Sequence, residues 1–222
     1  NVFRLGVDAL GLFNRDHAVL ADLLHHLANE LANAVISGGD GRNLGHGILK
    51  VDGFINHQVD PGLMNACGQE LARRMGALGA TKVLTAEISG IAPALTTGVV
   101  LGVPVVYARK MKPITMSGPV FLETAPSHTK GGEVNLLVSS EFLHAGENVL
   151  IIDDFLASGK TLLALARMVK SAKSNLVGVG VVVEKTFEGG RNLMLQTGYT
   201  DIPIEALAVI TSMEDGKIVI GD

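Results

Sequence analysis

The chain has 222 residues, 47% hydrophobic and 18% charged, with 18 Lys+Arg against 22 Asp+Glu for a net charge of −4. That balance supports a sizeable buried core, excludes a disordered chain, and disfavours sequence-independent nucleic-acid binding, which needs basic surface. The single cysteine, Cys67, excludes an internal disulfide and a cysteine-based zinc site and fits a reducing, cytoplasmic setting; no apolar run reaches the ~20 residues that span a bilayer.

Asn1–Phe13 lacks the apolar block and small-residue cleavage site of a secretory signal. Leu20, Leu23, Leu24, Leu27, Leu31 and Val35 then recur at helical spacing behind Asp16, a candidate amino-terminal cap. They predict an amphipathic helix packed on the domain or across an interface between copies. His25 and His26 are adjacent, so on a helix they point about 100° apart rather than toward one metal ion. Gly38-Gly39-Asp40-Gly41 closes this segment, and residues 1–47 read as an amino-terminal extension of a domain over 48–222.

Beyond residue 48, strand-like and helix-like segments alternate. Lys82–Ala86 predicts a buried strand, Ile91–Leu101 a helix, Pro104–Ala108 a second strand and Val149–Ile152 a third. Leu162, Leu165, Ala166 and Val169 predict a helix over Lys160–Lys173, and Leu176–Val183 a further strand. Gly178 and Gly180 in that strand suggest close backbone approach by a neighbour. The alternation predicts an α/β fold with a parallel sheet flanked by helices, in which ligands bind at the carboxyl ends of the strands. Met111 to about Glu133, with Pro113, Gly118, Pro119, Pro126, Gly131 and Gly132, breaks the rhythm. It follows a strand end directly, which favours a mobile lid over a surface β-hairpin.

The richest segment is Val149–Thr161: a hydrophobic strand delivers Asp153 and Asp154, then a small-residue loop opens a helix. Backbone N–H groups of such a loop cradle an anion, helped by the helix dipole. Ser158 and Thr161 add hydroxyls, and Gly159 permits close approach. Gly159-Lys160-Thr161 looks like the end of a nucleotide-binding P-loop, but that motif needs a glycine where this chain has Asp154. Two acids before an anion cradle make sense for a ligand carrying both a phosphate and a polyol.

This segment resembles the phosphoribosyl-diphosphate signature of the type I phosphoribosyltransferases: hydrophobic strand, two acids, three residues, Ser/Thr-Gly-x-Ser/Thr. The resemblance implies that fold, with a hood and a flexible lid loop. It implies that Ala157, Ser158, Gly159, Lys160 and Thr161 hold the 5′-phosphate, that Asp153 and Asp154 face the ribose hydroxyls, and that Glu87-Ile88-Ser89-Gly90 forms the diphosphate loop. Arg109 and Lys110, closing the next strand, are placed to bind diphosphate oxygens. Mg²⁺ is implied mainly through substrate oxygens, with Asp153 the candidate protein ligand.

A second resemblance concerns the base. Ile48–Pro61 is similar to the hood segment of the bacterial-type xanthine phosphoribosyltransferases. So are Ser89–Ala94, Val103–Lys110, Asp153–Ala157 and Val183-Glu184-Lys185, together covering the chain from about residue 48 onward. The hood would comprise 48–61 and the carboxyl-terminal segment, and Leu49, Asn56 and Lys185 would contact the base. Xanthine carries oxo groups at positions 2 and 6; Lys185 can donate to the 6-oxo and the Asn56 amide to the 2-oxo. Where the Asn56 amide nitrogen faces the base, guanine's 2-amino group would meet a donor instead. Phe155 and Phe187 are the candidates to stack on the purine, and His57 reads as a turn residue.

The chain departs from the family in its longer leader before Leu49, in Pro126 where some members carry Tyr, and in Ser158 and Lys160 where some carry Asn and Gln. In the lid, Ser127-His128-Thr129-Lys130 echoes a family pattern. The resemblance implies phosphoribosyl diphosphate and xanthine as substrates, a homodimer, and no nucleic-acid or membrane partner. A hypoxanthine/guanine phosphoribosyltransferase is the nearest rival reading. Purine regulators that sense phosphoribosyl diphosphate share the acid-acid-Phe segment but need a basic DNA-binding module. Residues 1–47 carry Arg4, Arg15 and Arg42 against Asp8, Asp16, Asp22, Glu30 and Asp40, too acidic for one.

Overall fold

In a computed structural model, the described residues are 51–126, 132–214 and 218–221, together with Leu23, Leu27 and Leu49. A turn over Asp52–Asn56 leads into α1 (Pro61–Met75), started by Asp60, whose side chain accepts from Leu63 N at 2.9 Å, and by Pro61 at the first helical position. There follow β1 (Lys82–Ala86), α2 (Ile91–Leu101), β2 (Val105–Ala108), β3 (Val120–Pro126), β4 (Glu133–Ser139) and β5 (Asn148–Leu156). α3 (Lys160–Ser171), β6 (Asn175–Lys185), α4 (Gly190–Gln196), β7 (Ile204–Ser212) and β8 (Val219–Gly221) complete the order.

Six strands form one sheet in the order β2-β1-β5-β6-β7-β8, parallel except for the β7–β8 pair. From β1 the chain steps outward to β2 and then returns to β5 on the other side. The β1/β5 boundary is therefore a topological switch point, where a crevice opens beyond the strands' carboxyl ends. Successive residues of the buried strands feed opposite faces, as the period of two requires. Val83, Leu150 and Ile152 join the core under α1 and α2, while Leu84, Val149 and Ile151 join the core under α3. Leu71 on α1 and Leu165 on α3 are fully buried, one in each core, each worth about 1.5–3 kcal/mol relative to exposure.

α1 and α2 meet closely at Gly68, where a Cβ would sit 2.3 Å from Thr96 Oγ1. Leu23 and Leu27, from the amino-terminal stripe, are helical and buried in the α1-side core beside Leu49 and Val51. That favours packing on the domain for this segment. Asp16, Leu20, Leu24, His25, His26, Leu31, Val35 and Gly38–Gly41 lie outside the described residues.

Three expectations need adjustment. Residues 111–133 contribute an antiparallel hairpin: β3 pairs with β4 from Val120↔Ser139 to Pro126↔Glu133, and Ala125, Leu136 and Val138 are buried in the core. Its base is therefore anchored, tied further to β2 by the Arg109↔Leu137 bridge; Ser127–Lys130 and Gly131 lie outside the described residues. The neighbours that crowd Gly178 and Gly180 are side chains, not backbone: a Cβ there would meet Met75 Cε at 2.7 Å and Met75 Sδ at 2.9 Å respectively. The β5 strand also runs past Ile152 through the acid pair to Leu156, because Asp153 and Phe155 continue the ladder with Val181 and Val183 of β6. Among the described residues no helix is long and apolar enough to cross a membrane.

Candidate active site

Four neighbouring parallel strands end at one edge of the sheet and deliver the chemistry in sheet order. β2 runs into Arg109 and Lys110, β1 into Glu87–Gly90, β5 into Asp153–Thr161, and β6 into Lys185.

At the centre, Asp153 is buried, with 4% of its surface exposed, and its Oδ1 accepts from Thr85 Oγ1 at 3.3 Å. Asp154 is partly exposed and accepts from the Ser89 hydroxyl and from Phe155 N at 3.0 Å. Burial, and then the charge of Asp154, push the Asp153 carboxyl well above its ordinary range; burial raises Asp154 as well. Two carboxyls raised by desolvation in one crevice favour a ligand that brings hydroxyl donors or a cation. Gly90 closes the crevice floor: a Cβ there would lie 2.0 Å from Asp153 Oδ1 and 2.4 Å from Thr85 Oγ1.

The loop Ala157–Thr161 turns at Gly159, with φ of 75°, a left-handed conformation that glycine adopts without strain. Leu163 N–H donates to Gly159 O as α3 begins, which leaves the earlier N–H groups of the helix facing outward for an anion. Lys160 is exposed and Ser158 and Thr161 are half-buried at the same helix start.

On the β2 side, the Glu87–Ile88 peptide is cis, and the Glu87 carboxylate faces β2 rather than the crevice. Its Oε1 accepts from Lys110 N at 2.6 Å and its backbone N–H donates to Ala108 O at 3.0 Å. Glu87 thus braces the strand end that carries Arg109 and Lys110, a sounder place for a carboxylate than against diphosphate oxygens. Arg109 Nε is buried, 3.7 Å from Glu87 Oε2, without a hydrogen-bond partner among the described residues. The side chain as a whole is 40% exposed, so the outer end of the guanidinium is open to an anionic ligand while Glu87 flanks its inner end.

On the β6 side, Lys185 Nζ lies 5.4 Å from the centroid of the Phe155 ring and 3.4 Å from Glu188 Oε1. Phe155 is half-buried beside it, while Phe187 is 44% exposed on the turn beyond. Phe155 is the better placed of the two stacking candidates. Leu49 is buried in the core. Asn56 is exposed, and its Nδ2 donates to Asp52 Oδ1 at 3.1 Å, so one of its two amide hydrogens is engaged within the turn. His57 is exposed beside it, with its backbone N–H donating to Asp52 O, as a turn residue should. Gly190 was not a sequence candidate, yet its N–H donates to Ala157 O at 2.9 Å directly beneath the loop.

Against known proteins, residues 79–208 match the family described as "Phosphoribosyl transferase domain". The chain is 53% identical over 170 residues to the xanthine phosphoribosyltransferase of Deinococcus deserti, covering 77% of this chain and 86% of that one. It is 45% identical over 188 residues to the xanthine phosphoribosyltransferase of Oceanobacillus iheyensis, covering 85% and 94%. Among solved structures, the adenine phosphoribosyltransferase of Rhodothermus marinus superposes with a TM-score of 0.65 at 21% identity, over 86% of this chain and 99% of that one. That of Trypanosoma brucei, in complex with AMP, pyrophosphate and ribose-5-phosphate, gives 0.62 at 23% identity over 74% and 71%. At such identities the structural likeness speaks for the fold alone.

Proposed function

The chain belongs to the phosphoribosyltransferase family, and from that premise we propose that it transfers 5-phosphoribose from phosphoribosyl diphosphate to N9 of xanthine. The products are xanthosine 5′-monophosphate and diphosphate, a purine-salvage reaction. The observation that carries the reading is the row of groups across the ends of four neighbouring strands, with Arg109 and Lys110 just after β2, Glu87–Gly90 after β1, the carboxylates on β5 and Lys185 on β6. A ligand laid along that row meets cations at its diphosphate, acids at its ribose and a donor at its base. In this reading the domain spans 48–222, with a hood built from 48–61 and the carboxyl-terminal segment.

As diphosphate leaves, positive charge develops at the anomeric carbon, and the chain's task is positioning and charge stabilisation. The Ala157–Thr161 loop holds the 5′-phosphate through backbone N–H groups, assisted by Ser158 and Thr161. Asp153 and Asp154 orient the ribose hydroxyls, with Ser89 and Thr85 fixing the carboxylates. Arg109 and Lys110 draw off the leaving group's charge. Lys185 donates to the 6-oxo group, Asn56 to the 2-oxo group with its free amide hydrogen, and Phe155, packed against the core cluster that includes Leu49, gives the base apolar contact. Guanine, with an amino group at position 2, would set donor against donor at Asn56.

The carboxylate pair suits Mg²⁺: two hard oxygen donors stand together where burial makes their charge costly and a cation would relieve it. Mg²⁺ would be held mainly through substrate oxygens, with Asp153 as protein ligand, and when bound it supplies charge neutralisation to the departing diphosphate. A reducing cytoplasm suits a chain whose single cysteine, Cys67, is buried, with its thiol pushed up to about 12. A homodimer fits the exposed apolar side chains Ile88, Leu95 and Val99, which align along α2 and the loop before it as a surface for a second copy.

The test is direct. Purified protein with Mg²⁺, phosphoribosyl diphosphate and xanthine should release xanthosine 5′-monophosphate and diphosphate in equal amounts. Failure to form the nucleotide, with both substrates recovered, would overturn the reading.

A further inference from the structure

β6 ends in two charged residues that face opposite ways. Lys185 lies over Phe155 in the site, whereas Glu184 is 3% exposed on the other side of the strand. Arg191, in the first turn of α4, grips Glu184 with its guanidinium fork: Nε donates to the two carboxylate oxygens at 2.9 and 3.2 Å, and Nη2 to Oε2. Its Nη1 donates to Ile204 O at 2.8 Å, so the same side chain ties the end of β6 to the start of β7.

Between Lys185 and Arg191 the chain makes a single turn and reaches Gly190, which is buried against the phosphate loop. Gly190 N–H donates to Ala157 O at 2.9 Å. A Cβ on Gly190 would lie 2.3 Å from Ala157 O and 2.6 Å from Gly159 N, and a Cβ on Gly159 would lie 2.7 Å from Gly190 O. The loop therefore rests backbone on backbone, and neither partner has room for a side chain.

We propose that Gly190 and the Glu184–Arg191 fork are positioning residues that set the phosphate loop against Lys185, making the phosphate and base ends of the site one rigid piece. The inference rests on the function proposed above and adds residues outside the loop signature and the base contacts. The route is short and continuous: Lys185 and Glu184 share the end of β6, Glu184 holds Arg191, and the residue before Arg191 carries the loop. Displacing Gly190 pushes on Ala157 and Gly159 and so moves the N–H groups that face the phosphate. Loosening the fork frees both ends together.

The experiment compares wild type with Gly190→Ala, Arg191→Lys and Glu184→Gln, measuring KM for each substrate, kcat, melting temperature, and phosphoribosyl diphosphate binding by calorimetry. Gly190→Ala should raise KM and Kd for phosphoribosyl diphosphate at least tenfold while KM for xanthine stays within threefold. Arg191→Lys and Glu184→Gln, which keep a charge or a shape and spare the packed glycine, should raise KM for both substrates by about threefold to tenfold. A residue that merely supports the fold would lower melting temperature and active fraction and leave both KM values unmoved; that pattern in the two fork variants would overturn the proposal even if Gly190→Ala failed to fold. Wild type that neither turns over xanthine nor binds phosphoribosyl diphosphate would remove the functional reading itself. Wild type that binds it, with variants binding equally tightly, would remove this inference alone.

Discussion

Gly90→Ala is the sharpest single-atom test of how the carboxylate crevice is built. The added Cβ would stand 2.0 Å from Asp153 Oδ1, 3.1 Å from Asp153 Cγ and 2.4 Å from Thr85 Oγ1. None of these can step aside cheaply, because Thr85 is fully buried and Asp153 nearly so, and the two are hydrogen-bonded at 3.3 Å. Restoring ordinary contact, 3.4 Å or more, from 2.0 Å moves the Asp153 carboxylate by about 1.4 Å, and overpacking of this kind costs about 1–3 kcal/mol. In a chain of this size each kcal/mol lowers the melting temperature by roughly 2–4 °C. Misplacing a reacting group by about 1 Å costs on the order of 100-fold in rate. Initial rates of xanthosine 5′-monophosphate formation, with a thermal melt, read both effects. If the loss runs through Asp153, adding Gly90→Ala to Asp153→Asn should lower the rate little beyond Asp153→Asn alone. A Gly90→Ala enzyme within threefold of wild-type kcat/KM would refute this account of the crevice.

Replacing Asp153 and Asp154 together by Asn should cut turnover by orders of magnitude while leaving the melt cooperative; full activity in the double variant would show that the sugar site lies elsewhere. Because burial raises the Asp153 carboxyl above its ordinary value of 3.8, the ligand-free folded state holds a proton that the unfolded chain has released, between that value and the raised one. Stability should therefore fall as pH climbs through that window, and Asp153→Asn should flatten the fall and raise the urea midpoint at pH 7. With Asp153 in the proposed role, turnover should fall on the acid side at a pH above the ordinary Asp range. Glu147 shows the opposite sign: against the cost of burial, the Lys82 ammonium at 2.6 Å and the His144 N–H hold its carboxyl below the ordinary value. Its contribution is present above the unfolded value and lost as pH falls through the folded one. Glu147→Gln should cost about 1–3 kcal/mol at pH 7, by leaving the buried Lys82 without its counter-charge, and less at pH 3.

Much of the sheet was readable because its signals are local. Lys82–Ala86 and Ile91–Leu101 declare themselves through apolar runs and helical spacing, and the acid pair before Ala157–Thr161 stands at a strand-to-helix turn wherever the fold places it. Helix α1 was equally local, with Asp60 and Pro61 at its start and Leu63, Met64, Cys67, Leu71 and Met75 along one face. The hairpin was obscured by its prolines and glycines, which mark turns without saying that Leu136 and Val138 are buried. Glu87 illustrates a different limit: its place in the loop was legible, but the direction of its carboxylate depends on Lys110 N, supplied by another strand. Gly190 is the extreme case. Nothing around it in sequence signals that Gly159 lies against it; only the tertiary contact does.

The central claim is that xanthine is the base, and a competition assay tests it most directly. Purified protein is given Mg²⁺, phosphoribosyl diphosphate and equal concentrations of xanthine, guanine, hypoxanthine and adenine, and the nucleotides are separated by mass. Xanthosine 5′-monophosphate should dominate, with Lys185 and Asn56 serving the two oxo groups. Predominant guanosine or inosine monophosphate would keep the sugar site and contradict the base pocket, and no nucleotide from any base would contradict the enzyme.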